Sequence, residues 1–447
     1  MNKNPANFGR KGWELTIYCL AVYFFGFGAT GTMNMLAVDL NGQYGWSLTS
    51  LYSFQMIGGI LCVITYYILG TLYNKGKINL RLGILICGVA SAVLIILWAI
   101  CGNLGLMMFV IVASFTYLVV QAWGRFFNDN HVNNWFPIKK GAVMGWTTIG
   151  LPLGSSMGVK IYLWVSAAFG GYQAVYILFC IIFVVLVIWG YFSFRPYPEE
   201  LGYYPDNDVN MTRAKADALL EDGKRHAANS VWTPTRILRT PQIWVLGLGV
   251  AFMEFFACIV NQMMPNLLSL GYAPDPASNM MFIMTCGAAV ASVLWGILDL
   301  RIGPRVVIVF ILACGLIGGI ARFTGTTQGV IVSLVCLGAV LGGGPNMTVS
   351  VVSTLFGRYD FKNVFGTILA IGTIFAAVGV VVHSAVAEAY GYGTAYLVQG
   401  LCCVIGMVFI GIFTKDGFPQ RLVEKWRAAG TIPANYGLEN AESQENN

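Results

Sequence analysis

Arg125 and Asp129 stand four residues apart inside a strongly apolar stretch of this 447-residue chain, and Glu254 stands alone inside another. A guanidinium stays charged and grips a carboxylate through two parallel hydrogen bonds, so Arg125 suits the binding of an organic anion. A carboxyl group withdrawn from water can take up and release a proton within the physiological range, which suits Glu254 to proton coupling. Asp129 has two readings. It lies one helical turn from Arg125 on the same face, so it either forms a structural ion pair with it or takes part in proton coupling.

Other polar residues in apolar stretches are Asn34, Gln55, Gln121, Asn261, Gln262 and Asn346. Each needs a partner where water is absent. Gln121 and Asn346 lie deepest and are the candidates to join Arg125 in binding substrate. His131 is read as a packing or gate residue and His383 as a satisfied buried histidine. Lys160 and Arg322, near the ends of their stretches, can reach out to headgroups. Asp39 and Glu388, also at such ends, are expected to be solvated or to pair with cations. Tyr18, Tyr23, Phe24, Phe25 and Trp123 could line an apolar substrate body, though aromatic residues in such helices usually pack. The eleven cysteines are scattered without metal-ligand spacing. No metal or cofactor is expected, and with no catalytic triad or phosphate loop in view the chain does not read as an enzyme.

The elements that must position these residues are transmembrane helices. Only 10% of the chain is charged, against about 25% for an ordinary soluble domain. Runs of roughly 20 apolar residues are long enough to cross the hydrocarbon core. They fall at about 13–38, 48–73, 80–101, 105–135, 141–168 and 171–194, then 241–268, 277–300, 304–323, 328–356, 363–388 and 393–414. The first is too long for the apolar core of a cleavable signal peptide. An all-α membrane protein of twelve transmembrane helices in two six-helix bundles is therefore expected. Residues 1–194 would form the first bundle, 195–240 a cytoplasmic linker, 241–414 the second bundle and 415–447 a cytoplasmic tail. Within the linker Met211–Ala228 could form a surface helix, and the tail reads as disordered from about residue 430.

Charge gives the orientation. Of 26 Lys and Arg residues, all but Arg125, Lys160 and Arg322 lie at the N-terminus, in the tail or in alternate gaps, while the intervening gaps hold none. Positive charge stays on the cytoplasmic side, so both termini are expected there, in the cell membrane. The net charge of +6 thus reflects topology and does not point to nucleic acid. Counting inward at 1.5 Å per residue puts Arg125 about 15 Å from Trp135, near the midplane. Glu254, thirteen residues after Pro241, reaches a similar depth. A charge there costs roughly 2.5–3.5 kcal/mol on insertion scales and ordinarily faces a cavity or a partner.

The two halves echo each other. Gly70-Thr-Leu-Tyr-Asn74-Lys75-Gly76-Lys77 closes the second span, and Gly296-Ile-Leu-Asp299-Leu-Arg301-Ile-Gly303-Pro-Arg305 closes the eighth. Both resemble the G-x-L-x-D-R-x-G-x-R loop of the major facilitator superfamily, although Asn74 replaces the acid in the first copy and Asp299 comes one place early in the second. Three further stretches, Trp135–Gly141, Arg195–Asp206 and Trp232–Trp244, together with Phe356–Gly366, resemble bacterial carriers of the oxalate/formate and monocarboxylate type. The resemblance implies gating roles for Gly70, Gly76, Gly296, Asp299, Arg301 and Gly303. Oxalate/formate exchangers also carry an Arg in span eight and a Lys in span eleven. Residues 277–296 and 363–388 hold neither, so oxalate itself is not expected.

The expected activity is secondary active transport by alternating access, with substrate near the midplane between the halves. The cargo would be a small or amphipathic organic anion, a monocarboxylate above all, moved with protons by a functional monomer in the lipid bilayer. Multidrug-type efflux of hydrophobic compounds, organic-anion exchange and a flux-free sensor are the alternatives. Gly150-Leu-Pro152-Leu-Gly154 faintly resembles an antiporter motif, but such runs more often serve helix packing.

Overall fold

Backbone amides in hydrocarbon find no water, so apolar runs must satisfy their own hydrogen bonds by folding as helices. In the computed structural model every regular element among the described residues is helical. The structure describes residues 8–74, 77–136, 139–208, 212, 214 and 230–433. Most of the surface helix expected at Met211–Ala228, and the tail beyond 433, lie outside that range.

Eleven helical segments are long and apolar enough to cross a membrane: α1 (Gly9–Tyr44), α2 (Leu48–Gly70), α3 (Leu80–Leu104) and α4 (Leu106–Trp135) come first. The span expected next, α5, is two helices, Lys140–Thr148 and Gly150–Phe169, and its glycines, serines and Lys160 make it less apolar. Then follow α6 (Tyr172–Ser193), α7 (Pro241–Ser269), α8 (Pro274–Ile302), α9 (Pro304–Phe323), α10 (Thr327–Phe356), α11 (Asn363–Tyr390) and α12 (Tyr392–Phe413). A short amphipathic helix, α13 (Phe418–Ala428), ends the described chain.

One pairing pattern serves both sets of six. In the first set α1 packs on α5, α2 on α4 and α3 on α6; in the second Gly247 of α7 meets Ile371 of α11, Gly338 of α10 meets Met284 of α8, and α9 packs on α12. Small residues permit the closest approaches. A Cβ on Gly150, Gly154 or Gly158 of α5 would lie 2.8, 2.1 and 2.1 Å from the carbonyl oxygens of Leu20, Phe24 and Gly28 on α1. The Gly150–Gly154 run is thus a packing stripe. Gly342 does the same for α10, its Cβ position 2.1 Å from the Ala288 carbonyl oxygen on α8.

Departures from α geometry occur in several spans, among them a closing 3₁₀ turn in α3, Gly102–Leu104, and a closing π turn in α12, Phe409–Phe413. α1 breaks at Thr32, between Gly9–Gly31 and Met33–Tyr44. α4 contains a π turn, Ala122–Phe127. α7 contains a 3₁₀ turn, Cys258–Gln262. Single π turns and mid-helix 3₁₀ stretches often mark functional positions.

At the end of the bundle that bears the termini, the conspicuous sequence stretches clasp one another. The Trp135 indole donates to the Arg195 carbonyl at 2.8 Å, and the Lys139 amide donates to Asp206 Oδ1 at 2.7 Å. Trp232 packs edge-on to Phe356 and Trp426, each at 5.0 Å between centroids, and Ser230 Oγ donates to Asp360 Oδ1 at 2.6 Å.

Candidate substrate cavity

A cavity of about 60 Å³ opens between the two sets. The first set contributes Cys62 and Tyr66 from α2, and Tyr117, Gln121 and Arg125 from α4. The second contributes Val250 and Glu254 from α7, Thr348 from α10, and a face of α11 running from Ile368 to Ala376. Sequence position alone singled out Arg125, Gln121 and Glu254 but missed Tyr66, Tyr117, Thr348 and Thr373. The signal for Tyr117 was present: residues 117, 121 and 125 are spaced four apart, on one helical face.

The π turn decides what Arg125 touches. The amide of Asn128 reaches back to the Trp123 carbonyl, five residues away, so the turn is wider than an α turn. Arg125 lies inside that turn and Asp129 just after it. The structural ion pair, one of the two readings of Asp129, is not among the salt bridges of the described residues. Asp129 Oδ1 instead accepts a hydrogen bond from the Tyr23 hydroxyl at 2.6 Å. Arg125 Nε is buried with no hydrogen-bond partner, and the guanidinium lies 5.7 Å from the Phe27 ring centroid. Arg125 is therefore a cation that lines the cavity with its Nε unsatisfied.

Glu254 faces the same cavity from the opposite set, in a slot left by two glycines. A Cβ on Gly372 would stand 3.4 Å from its Cγ, and one on Gly344 would stand 3.6 Å from its Oε1. A side chain larger than methyl at either place would crowd the carboxylate.

Several expected site residues lie elsewhere. Asn346 does not line the cavity; its amide donates to Ser292 Oγ and ties α10 to α8. Arg322 does not reach toward headgroups: it is buried and donates to Asn266 Oδ1 through Nε at 3.2 Å and Nη2 at 2.7 Å. Glu388 is exposed and Asp39 half-buried, and both accept from hydroxyl or amide groups. Asp39 accepts from Tyr162 at 2.5 Å, and Glu388 accepts from the amide and hydroxyl of Thr49 at 3.0 and 2.8 Å. His131 stacks on Phe194 at 3.8 Å, and His383 bonds Gln399 at 2.8 Å. Tyr18 packs on Trp189, and Trp123 on Phe183, so neither lines the cavity. Among the expected gating residues, Asp299 accepts from Ser350 Oγ at 2.5 Å, and Gly303 turns the chain at φ +81°, a conformation that favours glycine. Gly70 and Gly296 have open space beside them, and Arg301 is exposed. Gly76 lies outside the described residues.

The sets meet by hydrogen bonds at the end away from the termini. Ser156 of α5 and Thr285 of α8 share one at 2.8 Å, and Lys160 donates to Asn279 one turn farther out. The Glu388 carboxylate of α11 caps the start of α2 through Thr49, and Asn34 of α1 accepts from the Met264 amide of α7 at 3.3 Å.

Residues 250–438 match the Major Facilitator Superfamily as a sequence family. Solved structures extend the likeness to the whole chain. A bacterial homolog to the human lysosomal transporter Spinster, in an inward-facing and unoccupied conformation, superposes with a TM-score of 0.69 at 14% identity, covering 91% of this chain and 98% of that one. A D-xylose-proton symporter gives 0.69 at 15% identity, with coverage of 91% and 98%. The nucleoside transporter NupG gives 0.61 at 14% identity, with coverage of 90% and 100%. The chain has the major facilitator fold. No curated protein matches the sequence. Within this fold the cavity lies between the two six-helix bundles, and Arg125 and Glu254 face it from different bundles.

Proposed function

We propose that this chain is a secondary transporter that carries a small organic anion, a monocarboxylate, across the cell membrane together with protons. One observation carries the reading: an unpaired Arg125 from one bundle and Glu254 from the other line a single cavity. Arg125 binds the carboxylate. Gln121, whose Oε1 is buried without a partner, and the neighbouring Tyr117 and Tyr66 hold the rest of the solute. Glu254 carries the proton. While protonated it leaves Arg125 to the substrate; once ionised it competes with the substrate for that cation. Loading and release are thereby tied to proton uptake and loss.

The cavity volume favours a short anion over an amphipathic one, because about 60 Å³ accommodates several waters and little more. The hydrogen bonds at the end away from the termini support an inward-facing state, with termini cytoplasmic by the positive-inside rule. The bundles of 1–194 and 241–414 would rock about the cavity, hinged through the linker 195–240, with the Gly70/Gly76 and Gly296–Gly303 turns as gate elements in a functional monomer.

The test is solute counterflow in proteoliposomes with acetate, lactate, benzoate and succinate, each with and without an inward proton gradient. Uptake of short monocarboxylates, strengthened by the gradient and lost in Arg125→Ala, is the expected result. Flux of hydrophobic cations that survives Arg125→Ala would turn the reading toward multidrug-type efflux.

A further inference from the structure

We infer that the second bundle, at its end away from the termini, holds a binding site for a small monovalent anion, built from Arg322 of α9 and the first turn of α12. The site is separate from the cavity that Arg125 lines.

Arg322 lies in the last turn of α9 and is only 5% exposed. A charge taken out of water needs a counter-charge or a full set of hydrogen bonds. Among the described residues Arg322 has neither. Its Nε and Nη2 both donate to Asn266 Oδ1 of α7, a neutral oxygen. The Asn266 amide is held in that orientation by donating to Tyr396 Oη at 3.2 Å, and the Tyr396 ring centroid lies 5.9 Å from the guanidinium. No carboxylate joins Arg322 in a salt bridge among the described residues, and its Nη1 makes no hydrogen bond to them.

What Nη1 stands beside is the start of α12. A Cβ on Gly393, in the first turn of that helix, would lie 3.8 Å from Nη1. Gly391, which precedes the helix, has no side chain with which to cap its first amides. Uncapped amides at a helix start are ready donors to an anion, and here the edge of a guanidinium stands next to them. The same Cβ would lie 3.6 Å from the Arg322 carbonyl oxygen, so α9 ends where α12 begins. The opposite half-charges of the two helix ends therefore offset one another, and one full positive charge is left over. A single negative charge balances it. A halide or a carboxylate group can take hydrogen bonds from Nη1 and from the amides together. Gly391 is exposed and Gly393 half-buried, which leaves the site a way in from solution.

Thermal unfolding of the purified full-length protein in detergent tests the site, with sodium chloride and sodium acetate as probes. Ionic strength is held constant with the bulky sulfonate morpholinoethanesulfonate. One or both probes should raise the midpoint by several degrees at roughly a hundredfold excess over the dissociation constant, and the rise should saturate. Chloride alone marks a halide site; acetate, with or without chloride, marks a site for carboxylates. Gly393→Asp puts a carboxylate beside Nη1. In sulfonate alone it should reach the midpoint that wild type reaches with anion, and it should gain nothing further from either probe. Arg322→Gln should lose the response as well, and Gly393→Asp decides the matter where Arg322→Gln does not purify as a monodisperse protein. Arg125→Gln should keep the response, because the cavity is not its source. No saturating rise in wild type, a rise that persists in Gly393→Asp, or one that disappears in Arg125→Gln overturns the inference.

Discussion

Replacing Arg125 by Gln separates a binding cation from a structural one by the sign of its effect on stability. Breaking a buried ion pair strands the remaining charge and typically costs about 3–5 kcal/mol. Here no salt bridge among the described residues would be broken: Asp129 accepts from Tyr23, Arg125 Nε has no partner, and Glu254, across the cavity, is free to stay protonated when the cation is gone. Arg125→Gln should therefore leave thermal stability in detergent unchanged or raised. Binding should suffer instead. A charge-assisted hydrogen bond contributes about 1.5–3 kcal/mol, and a two-pronged grip on a carboxylate at the upper end of that range or slightly beyond. At 1.4 kcal/mol per decade, a loss of about 2–4 kcal/mol weakens apparent affinity roughly 30- to 700-fold. Arg125→Lys keeps the charge but loses the fork, so it should fall between the two. Counterflow gives the affinity, and fluorescence-monitored unfolding gives the stability. A clear fall in unfolding temperature with normal carboxylate flux would refute the argument and restore Arg125 to a structural role.

Three further perturbations test other parts of the structure. Glu254→Gln keeps the shape of the slot beside Gly344 and Gly372 while removing the titrating proton. Solute exchange should persist and lose its dependence on the pH gradient, and gradient-driven accumulation that survives would exclude Glu254 as the proton carrier. Gly158→Val should abolish a monodisperse protein on size-exclusion chromatography, because its Cβ would come within 2.1 Å of the Gly28 carbonyl oxygen; Gly296→Ala, with nothing within 4 Å, should purify normally. Cysteines at Ser156 and Thr285, whose hydroxyls are 2.8 Å apart, should cross-link on mild oxidation in a background stripped of the eleven native cysteines. The link should arrest flux until reduced, and undiminished flux in the linked protein would show that this seam does not open during transport.

Run length and residue counting made much of this architecture legible. Apolar runs of membrane-spanning length appear as α1–α4 and α6–α12 at nearly the expected places. A fixed rise per residue was enough to bring Arg125 and Glu254, which lie 129 positions apart, to one cavity. Where the sequence misled, a neighbouring helix supplied a partner that spacing along one helix does not reveal, as Tyr23 of α1 does for Asp129. The Arg125–Asp129 pair was read from α spacing, and a π turn occupies that stretch. Depth also says nothing of azimuth: Asn346 lies deep in α10 yet turns to Ser292 on α8. Arg322 sits near a helix end, where reaching for headgroups is open to it, but Asn266 comes close enough to keep it inside. Tyr66 and Tyr117 went unnoticed because the chain has 21 tyrosines and most of them pack.

The irregular turns of α4 and α7 stand beside interior charged residues, and a physical reason links the two. A straight α-helix in a bilayer satisfies every internal amide and presents fixed faces, so it offers a charged side chain one neighbour set and one direction. A π or 3₁₀ turn changes the rotation per residue, and the faces before and after it no longer line up. In α4 the departure surrounds Arg125, and in α7 it begins four residues after Glu254. The break in α1 follows Phe27, which lies against Arg125. Each break weakens the backbone ladder locally, at a cost that a purely structural helix has no reason to bear. The 3₁₀ turn of α7 is braced to two other helices: Gln399 of α12 donates to the Phe255 carbonyl just before it at 2.8 Å, while its own Gln262 donates to the Val380 carbonyl and Ser384 Oγ of α11 at 2.7 Å each. Such cross-bracing fixes the irregular segment, and Glu254 four residues before it, to the second bundle, while Arg125 belongs to the first.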